Sequence, residues 1–489
     1  MPFLIEHITE VVFSILVLLI LANGALIALA IARRQRRERF FVRIDELRRQ
    51  YNPVVSGLLT GRLDYAQGLA ALRGISGRDR EYIWEQLCLA TTPAPAQVPN
   101  LRRLCEDLGL VKVWQRQVSG QFDVATLRDA MVRPEGVFQL LARLRFILRA
   151  KSADNLGIIR HQRSWPLLLK ALNDQHVDVQ NASLRSLAAI GDPESFLGLV
   201  QRLHDVVLKP GTRLSLRAVK TVLVSFPLAQ APDLIPSLKH ANRRIRFFAT
   251  DVIREMSDRQ AALDEDFALD FKVFPEDLRE LFLSQLGFDE NPDVRARAAP
   301  VIARIPDPRS APLLLTLLGD PEWFVRLHVV RTLAQPKFQP QVAEIARRLT
   351  DANWMVREAA AQTLLTFGQM GVNQLFQDFL SSPDRYSREQ IADTMQRRGL
   401  VPNLIGQYLE SHDGREKQVI AQLAQMGKTS YLLALLASTP EKEVRRRFLV
   451  DFGHYPDANI QKWVRIVATR ESDEELRALA RAALQRAQV

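Results

Sequence analysis

Apolar and polar positions between Gly287 and Leu400 repeat with a period of 31 residues, and Arg295, Arg326, Arg357 and Arg388 mark the beat. One residue before these arginines stand Val294, Val325, Val356 and Ser387. Three after stand Ala298, Val329, Ala360 and Ile391, and seven after stand Ile302, Leu333, Leu364 and Met395. Offsets of −1, +3 and +7 fall on one stripe of an α-helix, because positions three and four apart are neighbours on its surface. Six residues before the first three arginines stand Asp289, Asp320 and Asp351. Ahead of that Asp lies a second apolar run, such as Leu313, Leu314, Leu317 and Leu318. It is preceded by Pro312, placed in a first turn that tolerates a missing N–H. Each unit therefore predicts a helix A, a turn carrying Asp, and a helix B carrying Arg. Neither helix can bury its stripe alone, so the units must stack.

The same columns recur outside this stretch. Asp174 and Gln180 hold the Asp and Arg positions of an earlier unit, with Val179 and Leu187 on the stripe, and the array is expected to begin near Ser164. Arg246 fits with Ile245, Ala249 and Ile253. From Arg246 to Arg295 is 49 residues, 18 more than one period. The excess, near 259–277, carries Asp264, Glu265, Asp266, Asp270, Glu276 and Asp277 among Phe267, Phe271 and Phe274. An insertion between stacked units often lies on the binding face; a packed loop that covers a local irregularity explains it equally well. Arg445, with Val444, Phe448 and Phe452, restores the beat later. The charged stretch Asp473 to Arg486 suits a terminal helix whose outer face stays wet.

The Asp-x4-Val-Arg segments Asp289–Arg295, Asp320–Arg326 and Asp351–Arg357, with the turns Ile190-Gly191-Asp192-Pro193 and Ile305-Pro306-Asp307-Pro308, resemble HEAT repeats. The likeness is greatest to the short HEAT-like repeats named after the phycobilisome lyases. It implies an all-α fold, a right-handed α-solenoid of HEAT-like helical hairpins, over about 157–489. It also implies a hydrogen-bonded ladder between repeats built from Asp289, Arg295, Asp320, Arg326, Asp351 and Arg357. The fourth unit departs from the pattern, with Ser382 in the Asp column. Such a resemblance speaks to fold and says little of function.

Ahead of the array, residues 11–32 carry no charge, long enough for a helix of about 20 residues to cross a bilayer. Residues 1–10 would lie outside the cytoplasm. Residues 33–50 form a basic juxtamembrane helix of net charge +5, including Arg33, Arg34, Arg36, Arg37 and Arg39. Basic flanks stay on the cytoplasmic side, so the N-terminus is expected out and the solenoid in, as for a single-pass protein of a bacterial inner membrane. A cleaved signal peptide ending at Ala28-Leu29-Ala30 is the alternative. Against it stand the absence of Lys and Arg ahead of the apolar run, the length of that run, and the arginines behind it. The basic run either contacts anionic lipid headgroups or serves only as a topology signal. No aromatic residue interleaves the arginines at 33–39, which argues against a nucleic-acid stacking platform despite a formal charge of +11. Residues 51–156 read as short helices, either a separate domain or degenerate repeats, with a Pro-rich linker at 91–99.

Catalytic signatures are weak. Gly427-Lys428-Thr429 lacks the earlier glycine and the preceding strand of a phosphate loop, and Gly427 reads as a helix C-cap. Cys88 and Cys105, 17 residues apart, lack metal or redox spacing and read as buried thiols. The scattered histidines form no HExxH pair. No cofactor and no catalytic or metal residues are expected, and the chain reads as a non-enzyme. Trp323 and Trp354, each three residues before a column arginine, are candidates for partner binding, with packing as the rival reading. Arg217, Lys220, Arg297 and Arg331 are further candidates on the B helices. The expectation is a membrane-anchored scaffold or adaptor holding an unidentified protein, in an envelope-associated complex. Chromophore attachment of the bilin-lyase kind, and lipid or nucleic-acid binding, are the alternatives.

Overall fold

The structure is a computed structural model. It describes residues 2–77, 80–90, 93–122, 142–209, 211–264, 267–270, 274–410, 414–439 and 441–487, with the backbone alone for residues 2–11, 33, 36, 37, 142–144 and 410. Every regular element among the described residues is helical. The fold is all-α, built of HEAT-like helical hairpins. The chain divides into two compact units, Met1–Leu234 and Ile235–Val489.

The first unit opens with α1, Pro2–Thr60, one unbroken helix. Sequence patterning predicts a separate helix from Phe41 to Tyr51; that segment is instead the continuation of α1. Pro53 removes one backbone bond, but it sits on the exposed side, where water replaces the partner of the freed carbonyl. Val12–Ala32 is apolar and wholly unburied, whereas Ile44, Val55 and Leu58 are buried. They pack towards α2 (Tyr65–Arg73), α3 (Arg80–Cys88) and α4 (Val98–Asp107), after which comes α5 (Leu110–Val118). The turn into α2 runs through Gly61 in a left-handed conformation, and Asp64 caps α2 by accepting from the Gln67 N–H. In the expected linker, Pro95–Gln97 forms a single 3-10 turn that leads directly into α4; Thr91 and Thr92 lie outside the described residues.

The repeats of this unit are α6 (Ala142–Ile158), α7 (Trp165–Ala171), α8 (Val177–Ile190), α9 (Pro193–Leu208) and α10 (Leu216–Ser225). Helix α6 packs along α8, and Gly157 permits the approach: a Cβ there would meet the Ser186 Cα at 2.7 Å. Leu148, Ser152 and Leu156 are buried at offsets −1, +3 and +7 from Arg149. Helix α6 is therefore a B helix, and the repeat pattern starts one unit earlier than the expected onset near Ser164. Gly191 ends α8 in the left-handed region, and Asp192 caps α9 with Pro193 at its first position.

The second unit holds α11 (Ile235–Leu238), α12 (Arg243–Ala261), α13 (Glu276–Ser284), α14 (Pro292–Arg304), α15 (Ser310–Leu317), α16 (Trp323–Thr332), α17 (Val342–Ala346), α18 (Trp354–Leu365), α19 (Gly368–Ser381) and α20 (Arg385–Arg397). The B helices α12, α14, α16, α18 and α20 pack in that order, each against the next. Their stripes are fully buried, as at Val294, Ala298, Ile302, Val325, Val329 and Leu333. The described part of the insertion is packed at two residues, while Leu263, Asp264 and Asp270 are exposed. Leu269 and Phe274 are fully buried, the Leu269 N–H donates to the Arg304 carbonyl at 3.0 Å, and the Phe274 ring lies 5.6 Å from that of Phe282. Glu265, Asp266 and Phe271 lie outside the described residues. The unit ends with α21 (Leu400–Glu410), α22 (Arg415–Gln425), α23 (Ser430–Ser438), α24 (Lys442–Phe452), α25 (Ala458–Arg470) and α26 (Glu474–Arg486), the last capped by Asp473.

Candidate functional site

The column arginines form a ladder along the starts of the B helices. The Arg295 guanidinium donates from Nε and Nη2 to both oxygens of Asp320, at 2.7 and 2.9 Å. Arg326 does the same to Asp351, at 2.7 Å for each bond. Arg246 does so to Asp289 at 2.7 and 3.0 Å. In this last rung the residues are 43 apart rather than 25, so the insertion is absorbed without breaking the ladder. The third nitrogen of each arginine turns back on its own unit. Arg295 Nη1 donates to the Asp289 carbonyl, Arg326 Nη1 to that of Asp320, and Arg357 Nη1 to that of Asp351, each at 2.7 Å. Within a unit the Asp offers its backbone; its carboxylate serves the arginine of the preceding unit.

Each carboxylate also accepts an N–H two residues on: Asp289 from Asn291, Asp320 from Glu322 and Asp351 from Asn353, at 2.8–2.9 Å. The Asp so fixes the turn and orients itself for the bidentate fork, the strongest geometry available to a guanidinium–carboxylate pair. The fork holds Arg295 and Arg326 above the ordinary arginine value, against the opposing effect of burial.

Besides that of Arg246, two rungs lie outside the expected ladder. Arg149 forks onto Asp174 at 2.7 and 3.0 Å, while Gln180, in the arginine column, donates to the Asp174 carbonyl at 2.8 Å. Arg149 stands 31 residues before Gln180, so the beat was present, hidden by the Arg-to-Gln exchange. Arg445 reaches Glu471 at 2.6 Å.

At Arg357 the fork has no carboxylate. Ser382 is buried in the Asp column, and the Arg357 Nε is buried with no protein partner. The Tyr386 ring centre lies 6.0 Å from the Arg357 Cζ. Trp323 and Trp354 are the first residues of α16 and α18, and both are exposed, Trp354 by 57 % and Trp323 by 38 %. Tyr386, near the start of α20, is 67 % exposed. Aromatic side chains thus border the ladder on three successive B helices.

A second cluster lies further along the B helices. Asp251 is buried, accepts from Arg254 at 2.8 Å and pairs with Arg297 at 3.3 Å. Arg254 and Arg304 both reach Asp258, at 2.6 and 2.7 Å. Arg297 also lies 5.7 Å from the Phe247 ring, whereas Arg331 is exposed. Burial, followed by the charges of Arg297, Arg331 and Arg254, lowers His328 to about 4. Arg297 is thus held in internal contacts, and Arg331 faces solvent.

Elsewhere, Gly427 adopts the left-handed conformation just past α22, where the Lys428 N–H closes onto the Leu423 carbonyl at 2.9 Å; this is helix-capping geometry. Cys88 and Cys105 are free and buried. Among the described residues no three His, Cys, Asp or Glu side chains gather as a metal site. On α1, Arg34 is exposed and pairs with Glu38 at 2.9 Å, and Arg39 is exposed. The side chains of Arg33, Arg36 and Arg37 lie outside the described residues.

A family model for HEAT repeats matches residues 279–364. No curated protein matches the chain. Among solved structures, the Escherichia coli protein YibA is similar over 65 % of this chain and 96 % of its own, with 16 % identity and a TM-score of 0.27. The CpcE–CpcF phycocyanin lyase complex of Nostoc sp. is similar over 59 % of this chain and 91 % of its own, with 15 % identity and a TM-score of 0.21. The Kap95:Nup1 complex is similar over 90 % of this chain and 67 % of its own, with 14 % identity and a TM-score of 0.31.

Proposed function

We propose that the chain is a single-pass membrane protein whose HEAT-like solenoid lies in the cytoplasm, binds another protein and performs no chemistry of its own. The observation that carries the anchor is α1. Its Val12–Ala32 segment is apolar and unburied, yet the same unbroken helix is packed at its other end through Ile44, Val55 and Leu58. Cleavage at Ala28-Leu29-Ala30 would cut this helix in its middle. The arginines that follow orient it with the N-terminus outside, and the basic run of Arg33, Arg34, Arg36, Arg37 and Arg39 directly follows the apolar segment in sequence, where anionic headgroups attract it.

The binding surface is the ladder edge, where Trp323, Trp354 and Tyr386 remain exposed beside fixed arginines; Arg331 adds a second contact point. Exposed aromatics beside Arg are the composition from which binding hot spots are built. Confinement at the bilayer raises the effective concentration of whatever the solenoid holds.

The test compares the full chain with a form lacking residues 1–32. The full chain is expected in the membrane fraction and the truncated form in the soluble fraction, with both crosslinking to the same protein. A full chain found soluble overturns the anchor; no crosslinked protein with either form overturns the binding role.

A further inference from the structure

We propose that the interrupted rung at Arg357 is a docking point for a carboxylate side chain on an acidic segment of the partner protein, an inference that rests on the protein-binding reading above. Arg246, Arg295 and Arg326 show what this arginine position does: its Nε and Nη2 take both oxygens of one carboxylate at 2.7–3.0 Å. Arg357 is placed identically, with Nη1 held by the carbonyls of Asp351 at 2.7 Å and Ala352 at 3.2 Å. The column position that supplies the carboxylate in the intact rungs is held here by Ser382. The serine is committed to its own turn: its Oγ accepts from the Asp384 N–H at 3.3 Å and its carbonyl from Arg388 Nη1 at 3.1 Å.

The buried Arg357 Nε is left without a protein acceptor, as is that of Arg388 in the next unit; Arg357 is the one bordered by Trp354 and Tyr386. A buried guanidinium N–H favours a charged acceptor over none, and a carboxylate is the group this fork donates to in the four bidentate rungs, those of Arg149, Arg246, Arg295 and Arg326.

Nearby carboxylates do not substitute. Asp384 caps α20, accepting from the Tyr386 and Ser387 N–H groups at 3.1 and 3.2 Å. Glu389 pairs with Arg385 at 2.9 Å, and Glu358 with Arg397 at 3.2 Å. The point is therefore cationic, and its borders are aromatic. Trp354 lies three residues before Arg357 on the same helical face, and the Tyr386 ring centre lies 6.0 Å from the Arg357 Cζ. A carboxylate flanked by side chains that pack on Trp and Tyr fits these borders; a bare ion does not use them.

The experiment measures fluorescence polarisation of a labelled decapeptide alternating Glu with Gly, and of its Gln counterpart, against the full chain in detergent. Four proteins are compared: wild type, Ser382→Asp, Ser381→Asp and Arg357→Gln. Wild type is expected to bind the Glu peptide at least tenfold tighter than the Gln peptide. Ser382→Asp completes the rung from within, so it is expected to lose that preference and to melt at a higher temperature than wild type. Ser381→Asp adds the same charge one residue away and is expected to stay within twofold of wild type. Arg357→Gln is expected to behave like Ser382→Asp in binding but without the gain in melting temperature.

Equal loss in Ser381→Asp and Ser382→Asp, an unaffected Ser382→Asp, or absence of preference in wild type overturns the proposal. So does competition by inorganic phosphate at lower concentration than by the peptide. Crosslinking in membranes separates the two levels of inference. A partner captured equally by wild type and Ser382→Asp removes the docking point and leaves the binding role standing; capture by neither removes the binding role.

Discussion

Asp351 shows how much one residue of the ladder is asked to do. It accepts the Arg326 fork, accepts the Asn353 N–H, and gives its carbonyl to Arg357. Burial pushes its carboxyl up, but the bonds from Arg326 and the Asn353 N–H outweigh burial and hold it below 3.8. A carboxyl lowered on folding contributes stability that is present above its unfolded value and lost as pH falls through its folded value. Asp351→Asn strips Arg326 of its charge partner in a nearly buried setting and is expected to cost about 3 kcal/mol, measured as a lowered urea midpoint at pH 7. That deficit should shrink below pH 4, where wild type loses the same interaction.

His328 acts in a different window. It faces Arg297, Arg331, Arg254 and Asp251, and is held near 4 against an ordinary 6.5. The unfolded chain therefore takes up a proton that the folded chain refuses, and stability should fall as pH drops from about 6.5 to 4. Urea titrations of His328→Gln at pH 7 and pH 5 are expected to show that part of the decline removed. The Asp and Arg columns were readable in the sequence because a repeated helix pair forces a repeated spacing. Which arginine meets which carboxylate was not, because that contact crosses from one unit to the next and skips 25 residues.

At the scale of the helix, small residues set how closely neighbours approach. Gly157 stands where α6 meets α8, and a methyl group would lie 2.7 Å from the Ser186 Cα, a backbone atom that cannot rotate aside. Gly157→Ala is expected to force the two helices apart and to cost about 1–3 kcal/mol, seen as a lower melting temperature and faster amide exchange across residues 142–190. Sequence patterning placed the B helices well, because Val, Ala, Ile and Leu recur on a strict stripe. It divided α1 into an apolar helix over 11–32 and a basic one over 33–50, whereas one helix runs on through Pro53 to Thr60. It also left the insertion before α14 open between a loop for binding and a loop for packing. Leu269 and Phe274 are buried while Leu263, Asp264 and Asp270 stay exposed, and only through-space contacts carry that information.

At the scale of the whole chain, the division into Met1–Leu234 and Ile235–Val489 falls among three prolines, Pro227, Pro232 and Pro236. They form no extended linker: the boundary lies between two short helical segments, Leu228–Leu234 and Ile235–Leu238. The apolar run of α1, by contrast, was evident at once, since length and absence of charge are local properties. What could not be read was that this run and the first packed helix are one rod. About twelve residues separate Ala32 from Ile44, a rise of roughly 18 Å. Under the proposed anchoring, that rod fixes an azimuth as well as a height. Each residue added to it would swing the first unit by about 100° around the bilayer normal while lifting it by about 1.5 Å, so the face this unit offers to anything standing beside it in the membrane is set by helical phase.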